Sequence, residues 1–303
     1  MSMRYSAGFI SAFYNPLKNP DAPTIGTATA GINSVSVAFT APSNVGGSAI
    51  TSYIATAKRT SDGVLFTASG SSSPVTVSGL TAVAFTATVV AVNSYGPSAS
   101  SATSNSATPL AIGSALGGGF LAGQISTAGN GVADYNLIIG PVSSAENSSK
   151  QWKILNTTTA GTTSVINGPA NSSAMNNVTH PAAQFCEGLT IGGFSDWYMP
   201  AKNELEVCYY NLKPDTTNNS TSSGTNTNAV PSRGSNYTAG TPSQTLATDF
   251  QAGGTEAFGI ADYWSSTEFS SQYAWGQSTN NGSQQTITKN YYNRVRAIRR
   301  VAV

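Results

Sequence analysis

Gly192-Gly193-Phe194-Ser195-Asp196-Trp197-Tyr198-Met199-Pro200-Ala201-Lys202-Asn203-Glu204-Leu205 is the stretch on which the reading of this chain turns. The paired glycines read as a turn, since glycine adopts backbone conformations that other residues avoid. Pro200 then sits near the first turn of a helix, where a proline is tolerated. Ala201, Leu205, Cys208, Tyr209 and Leu212 fall on one helical face. Glu204 and Glu206 favour the positive N-terminal end of that helix, and Lys213-Pro214 stops it. Asp196 and Glu204 read as residues that hold loops or caps. Trp197 reads as a core aromatic, because large rings dominate core energetics.

Two further blocks follow in order. Tyr263-Trp264-Ser265-Ser266-Thr267-Glu268 comes about sixty residues later, and Arg294-Val295-Arg296-Ala297-Ile298-Arg299-Arg300 lies near the end. Trp264 joins Trp197 as an expected core residue, and the arginines are expected to pair locally on a last strand. Together the three blocks resemble a family of bacterial and phage domains of C-type-lectin-like fold, the DUF1566 or Lcl C-terminal-like kind. The resemblance covers roughly residues 111–303. That family commonly has Ser or Thr where Ala201 stands, which with Glu204 would complete a capping box. The missing hydroxyl is expected to cost the helix about 1 kcal/mol.

Upstream of Glu204, Met175, Val178, Ala182, Phe185 and Leu189 recur at helical spacing, with Pro181 marking a broken or late start. Downstream, residues 215–245 are rich in Thr, Asn, Ser and Gly and read as a long surface loop. Strands are expected at Ile125, Tyr135–Ile139, Trp152–Ile154, Tyr263-Trp264, Ala274-Trp275, Gln285–Ile287 and Val295–Val301.

Residues 21–109 alternate with the period of half-buried strands: Val35, Val37 and Phe39; Tyr53, Ala55 and Ala57; Phe85, Ala87, Val89 and Ala91. Turn signals such as Gly46-Gly47 and Ser61-Asp62-Gly63 separate them, as in an antiparallel sandwich. Asp21-Ala22-Pro23-Thr24-Ile25, Val35–Pro42 and Asn93-Ser94-Tyr95-Gly96-Pro97-Ser98 resemble a fibronectin type III domain. Phe85 stands where that family has its corner tyrosine, so the hydroxyl is lost and the ring is left to fill the core. The expected organisation is an N-terminal arm (1–20), a fibronectin-III-like all-β sandwich (21–109) with a linker over 104–110, and an α+β C-type-lectin-like domain (110–303).

Charged residues make up only 9% of the 303, and the net charge is +1. Ordinary soluble domains run near roughly 25% charged. No basic residue occurs between Arg59 and Lys150, so a phosphate-neutralising stripe is missing and nucleic acid is not the expected partner. No apolar run is long enough to span a bilayer, and the N-terminus carries no apolar leader pattern. The chain is therefore expected to be made in the host cytoplasm and released with a particle. Cys186 and Cys208 show no metal spacing and read as free and buried. His180 is the one histidine, which leaves no Ser-His-Asp or Cys-His chemistry apart from it, and it reads as structural. No catalytic residue, metal or cofactor is expected. Acids after Trp197 are too sparse for a calcium-dependent sugar site.

The binding surface is expected between Tyr263 and Arg294, in Phe269, Gln272, Tyr273, Trp275, Gln277, Asn280, Tyr291, Tyr292 and Asn293. Tyr and Trp give rigid area with polar tips, and amides give adaptable hydrogen bonds. With the resemblances, this implies a non-catalytic bacteriophage virion adhesin, such as a tail fibre or other surface fibre. It would recognise a host-surface glycan or protein, dock on other virion proteins through its N-terminal arm and work as a homo-oligomer, a trimer first. The alternative is a structural or decoration protein of the virion with no receptor.

Overall fold

The computed structural model describes residues 17–303; the N-terminal arm expected over 1–20 lies, through residue 16, outside them. The chain is mostly β and divides into two compact units, 1–111 and 112–303.

The first unit is a sandwich of two sheets. One holds β1 (Thr24–Gly31), β2 (Ser34–Thr40) and β5 (Val75–Ser78) in the order β1-β2-β5. The other holds β3 (Ser52–Arg59), β4 (Leu65–Gly70), β6 (Phe85–Asn93) and β7 (Gly96–Pro97) in the order β4-β3-β6-β7. Alternation decides which side faces in: Val35, Val37 and Phe39 of β2 and Phe85, Ala87, Val89 and Ala91 of β6 are all buried. Register then sets small against large at two inward positions of the β3–β6 ladder, Tyr53 opposite Ala91 and Ala55 opposite Val89, while Ala57 faces Ala87. Phe85 is fully buried and meets Phe66 edge-on at 5.8 Å, so the ring does fill the core without a hydroxyl.

The flank of β6 is closed in an unusual way. Ser98, Ser101 and Ser104 each donate a backbone N–H to the carbonyls of Ala91, Val89 and Ala87. Their hydroxyls accept the N–H of the same three residues, at 2.9–3.0 Å. Three residues of this segment advance against two of the strand, so one in three bulges outward and a side chain replaces a carbonyl. Ala107 completes the row by pairing with Phe85, and Asn105 bonds both the N–H and the C=O of Ala28. The span read from sequence as a linker over 104–110 is thus integral to the sandwich through Leu110, which pairs with Gly31 and Asn33. Serine spacing of three does not match a strand period, which is why the alternation rule passes over it.

In the second unit one sheet runs β12-β9-β10-β17, with β8 (Ala115–Leu116) beside β9 (Gly119–Ile125). Its other strands are β10 (Tyr135–Ile139), β12 (Ala229–Val230) and β17 (Ile298–Ala302). The second sheet runs β11-β16-β13-β14-β15, from β11 (Glu146–Gln151), β13 (Asp262–Glu268), β14 (Tyr273–Ser278), β15 (Gln284–Thr288) and β16 (Tyr292–Arg296). The terminal segment crosses from one sheet to the other at Ala297. Trp152 is fully buried but lies just past β11, outside the strand expected there.

Four helices join the sheets: α1 (Val142–Ala145), α2 (Gly168–Ala174), α3 (Pro181–Glu187) and α4 (Lys202–Leu212). The single helix expected around Pro181 is two short ones, because that proline starts α3 and leaves Val178 in an exposed turn. Cys186 on α3 and Cys208 on α4 are buried and unpaired. Helix α4 departs further from expectation. It is buried almost all round, Glu204 and Glu206 included, instead of on one apolar face. Residues 215–245 fold over its Glu206 side, while Tyr198 and Arg300 cover Glu204. Asn219 takes the hydroxyl of Tyr209 and donates to the carbonyls of Thr238, Ala239 and Pro242. Asn226 donates to Glu206 and to the carbonyl of Asn203, and its own oxygen accepts from Asn228 and Ala229. Buried amides, each nearly saturated with bonds, do the ordering that apolar residues do elsewhere.

Candidate functional site

Strands β13, β14 and β15 form a meander, and β14 pairs with β15 so that Tyr273 lies opposite Thr288 and Trp275 opposite Thr286. A tight turn over 269–273 returns β13 into β14: the N–H groups of Phe269 and Ser270 both donate to the carbonyl of Tyr273. Ser270 Oγ in turn accepts from Gln272 and Tyr273. This brings Phe269, Gln272, Tyr273 and Trp275 together. Phe269 is 57% and Tyr273 38% exposed, and Phe269 meets Trp275 edge-on at 5.4 Å. On the other side the ammonium of Lys202, from the start of α4, stands 4.2 Å from the centre of the Trp275 ring. Burial lowers the pKa of that ammonium, with the Glu206 carboxylate acting in the opposite direction. The ring quadrupole attracts such a cation. The result is a semi-rigid aromatic strip with one positive group beside it.

The remaining expected residues lie elsewhere. Tyr291 and Tyr292 are 61% and 67% exposed at the turn into β16, with Tyr292 opposite Gln151 and Asn293 opposite Lys150 of β11. No ring contact joins them to Phe269 or Trp275 among the described residues. The side-chain amide nitrogen of Asn293 is buried without a hydrogen-bond partner. Asn280 is exposed at the opposite end of the β14–β15 hairpin. Gln277 is not on the surface at all. It is buried, and its amide donates to the carbonyl of Gly282 at 2.7 Å to hold the hairpin turn. Strand alternation alone would place Gln277 beside Trp275, but the outward face dips under the 215–245 segment, where Ser223 accepts the N–H of neighbouring Gln284. Lys202 was not expected at the site; its signal, a position one residue into a helix, has meaning only once α4 is placed against β14.

Beneath the strip lies a buried charge cluster. Lys289 pairs with Glu268, donates to the carbonyls of Thr157 and Ser271, and sits 4.7 Å from the centre of the Trp152 ring. Glu268 also accepts the N–H of Thr159. Lys153 donates to the carbonyls of Thr157 and Thr158 and to Thr159 Oγ1. His180 closes the set, with Nε2 2.9 Å from that same hydroxyl and Nδ1 2.9 Å from Asn177 Oδ1. The terminal arginines are paired too, but with acids distant in sequence: Arg296 with Glu256, Arg299 with Asp196 and Arg300 with Glu204. The pairing on the last strands is local only in part: Arg294 pairs with Glu146 of neighbouring β11, whose other carboxylate oxygen stands 3.9 Å from Arg296.

Burial, and then the two nearby lysines, push the pKa of His180 down to about 4. The folded state therefore excludes a proton that the unfolded chain takes up near pH ~6.5. That contribution is whole above the unfolded value and is lost as pH falls from there through about 4. At about 1.4 kcal/mol per pKa unit it amounts to at most about 3.5 kcal/mol. Urea unfolding of the wild type and of His180→Gln across this window is the check: the variant is expected to lose less stability on acidification. Equal slopes would remove His180 from the account.

Comparison with known proteins adds three findings. Curated proteins give no match to the chain. Among solved structures, titin domains A168–A170 share 25% identity over 30% of this chain and 32% of that one, with a TM-score of 0.27. The twitchin kinase region from C. elegans shares 19% over 30% of this chain and 17% of that one, TM-score 0.28. The fibronectin type-III domain of human fibronectin type III domain containing protein 3 shares 25% over 30% of this chain and 89% of that one, TM-score 0.26. The chain thus spans a third or less of the titin and twitchin structures. A family model, described as the Lcl C-terminal domain, matches residues 145–299, from the start of β11 into β17. That span takes in Asp196 through Glu204, the Trp264 strand and the aromatic strip, and it is half of the chain: this protein belongs to the Lcl C-terminal domain family.

Proposed function

We propose that this protein is a bacteriophage virion adhesin, a tail fibre or other surface fibre, whose second unit is a C-type-lectin-like head that grips a host-surface glycan or protein. One observation carries the reading: exposed Phe269 and Tyr273 stand beside half-buried Trp275, whose ring meets Phe269 edge-on and has the ammonium of Lys202 over it. Aromatic faces suit sugar rings and apolar side chains, and their stiffness limits the entropy lost on binding. A surface poor in charge supports a partner read by shape and hydrogen bonds more than by electrostatic steering. Each contact is weak, and repeated copies on a particle raise avidity through effective concentration. In this reading the protein acts as a homo-oligomer, a trimer first, and needs no metal or cofactor.

The full chain, incubated with host cells, is expected to block phage adsorption. Trp275→Ala and Tyr273→Ala should each raise the concentration needed by about 10-fold, as truncation of an aromatic anchor does. Asn280→Ala, at the far end of the hairpin, should leave it unchanged. Unaltered melting temperatures exclude misfolding as the cause. A wild-type chain that binds no permissive host and blocks nothing would leave the decoration-protein reading in its place.

A further inference from the structure

Strand β15 carries hydroxyls that the fold does not use. The register sets Thr288 opposite Tyr273 and Thr286 opposite Trp275. Alternation puts these four side chains on one face of the sheet, while Ala274 and Ile287 take the other. Directly opposed Cβ atoms stand about 4.5–5.5 Å apart, so each hydroxyl lies beside a ring. Thr286 is exposed and Thr288 half-buried. Neither hydroxyl makes a hydrogen bond among the described residues, and neither is closed off from solvent. The strands beside them differ. Ser265 Oγ donates to the carbonyl of Trp275, Thr267 Oγ1 to that of Ser164 and Thr279 Oγ1 to that of Ala261. Gln272, exposed in the turn, bonds through its backbone alone, so its amide is uncommitted as well. The row is held in place from below. Lys289 follows Thr288 and donates its N–H to the carbonyl of Gln272 and its ammonium to that of Ser271, both at 3.0 Å. The end of β15 is thereby tied to the turn that presents Phe269 and Tyr273.

A hexose has an apolar face of C–H groups and a rim of hydroxyls that both donate and accept. Phe269 and Tyr273, open to solvent, meet the first need. Thr286, Thr288 and Gln272 meet the second, because hydroxyls and amides also donate and accept. Trp275 has the ammonium of Lys202 over it, so it backs the row and is not counted as a stacking face. An apolar protein anchor laid here would strip water from these free hydroxyls without replacing its bonds, which is a cost. We infer that the receptor at this strip is a glycan, and that Thr286 and Thr288 are binding residues that pair with its hydroxyls while Phe269 and Tyr273 carry its C–H faces. This rests on the adhesin reading and narrows its receptor from glycan or protein to glycan.

The test binds the full chain to permissive host cells left untreated, treated with mild periodate, which cleaves the vicinal diols of sugars, or treated with proteinase K. Periodate is expected to remove most of the binding seen on untreated cells. Thr286→Val and Thr288→Val keep the side-chain shape and the strand preference but lose the hydroxyl. Each should weaken binding about fivefold, the worth of one neutral hydrogen bond, at an unchanged melting temperature. Thr103→Val, exposed in the first unit, should change nothing. The inference falls if binding survives periodate, or if both valine variants bind as tightly as the wild type, as an apolar protein contact would allow. Binding lost to proteinase K and kept after periodate strikes this inference and leaves the adhesin reading standing. No binding to untreated permissive cells strikes the adhesin reading itself.

Discussion

Glu268→Ala is expected to lower the unfolding free energy by about 3–5 kcal/mol, the range for removing one partner of a buried ion pair. The carboxylate is the negative centre of a pocket that holds Lys289 directly and has Lys153 and His180 beyond Thr159. Without it, two ammonium groups remain in a dry site, and Thr159 loses the acceptor for its N–H. Carbonyls of Thr157 and Ser271 keep Lys289 solvated but do not cancel its charge. The double variant Glu268→Leu with Lys289→Met should regain most of the loss, since an apolar pair of similar size often replaces a buried ion pair at little cost. The Ser271 carbonyl would still lack this donor and the Thr159 N–H its acceptor, about 1 kcal/mol apiece, while Lys153 still serves the Thr157 carbonyl. Urea unfolding of the wild type, Glu268→Leu, Lys289→Met and the double variant gives the coupling energy. A coupling near zero would mean that the ammonium of Lys289 is satisfied without Glu268, against the arrangement described.

Glu204→Ala is expected to do comparable damage, about 3–5 kcal/mol, by a different route. One fully buried carboxylate accepts the hydroxyl of Tyr198 at 2.6 Å, the N–H of Ala201 at 2.8 Å and Arg300 Nε at 2.8 Å. It therefore ties the loop before α4, the helix start and the last strand to one point. Its removal leaves a buried hydroxyl, an uncapped helix and an unpaired guanidinium. Glu204→Gln keeps an oxygen for one or two of the donors and should lose less. In contrast, Ala201→Ser adds only the half of the capping box that this chain lacks and should gain about 1 kcal/mol, provided the buried hydroxyl reaches the backbone N–H of Glu204. If Glu204→Ala were to unfold no more readily than Ala201→Ser, the three-way anchor would not be a structural centre.

Some of this architecture was legible from residue types alone, for physical reasons. Trp197 and Trp264 read as core because rings that large are seldom left to solvent without purpose, and both are buried. Period-2 runs at Val35 to Phe39 and Phe85 to Ala91 gave the sandwich its inward face, since alternation is what a pleated strand imposes. Other features were not legible. Asn219, Asn226 and Ser223 lie in a stretch whose composition suggests a solvated loop, and no periodicity distinguishes an amide that orders a fold from one that faces water. Arg296 and Glu256, or Lys289 and Glu268, pair across sequence gaps that only the assembled sheets define. The expected recognition residues divided for the same reason. Alternation gives a side chain's face but not what covers it, so Gln277 went under the hairpin turn while Tyr291 and Tyr292 stayed in solvent away from Trp275.

The serine-spaced segment along β6 has a consequence for crowding. An unguarded strand flank is a template on which a neighbouring chain can zip, a hazard that grows with local concentration. From Ala87 to Ala91 each N–H that faces this flank is already held by a hydroxyl of its own chain, and each carbonyl on it by the same serine's amide. A stranger would have to break two bonds per step to gain two. This flank is thus closed to fibril growth without a charged gatekeeper, which suits a chain so sparing in lysine and glutamate.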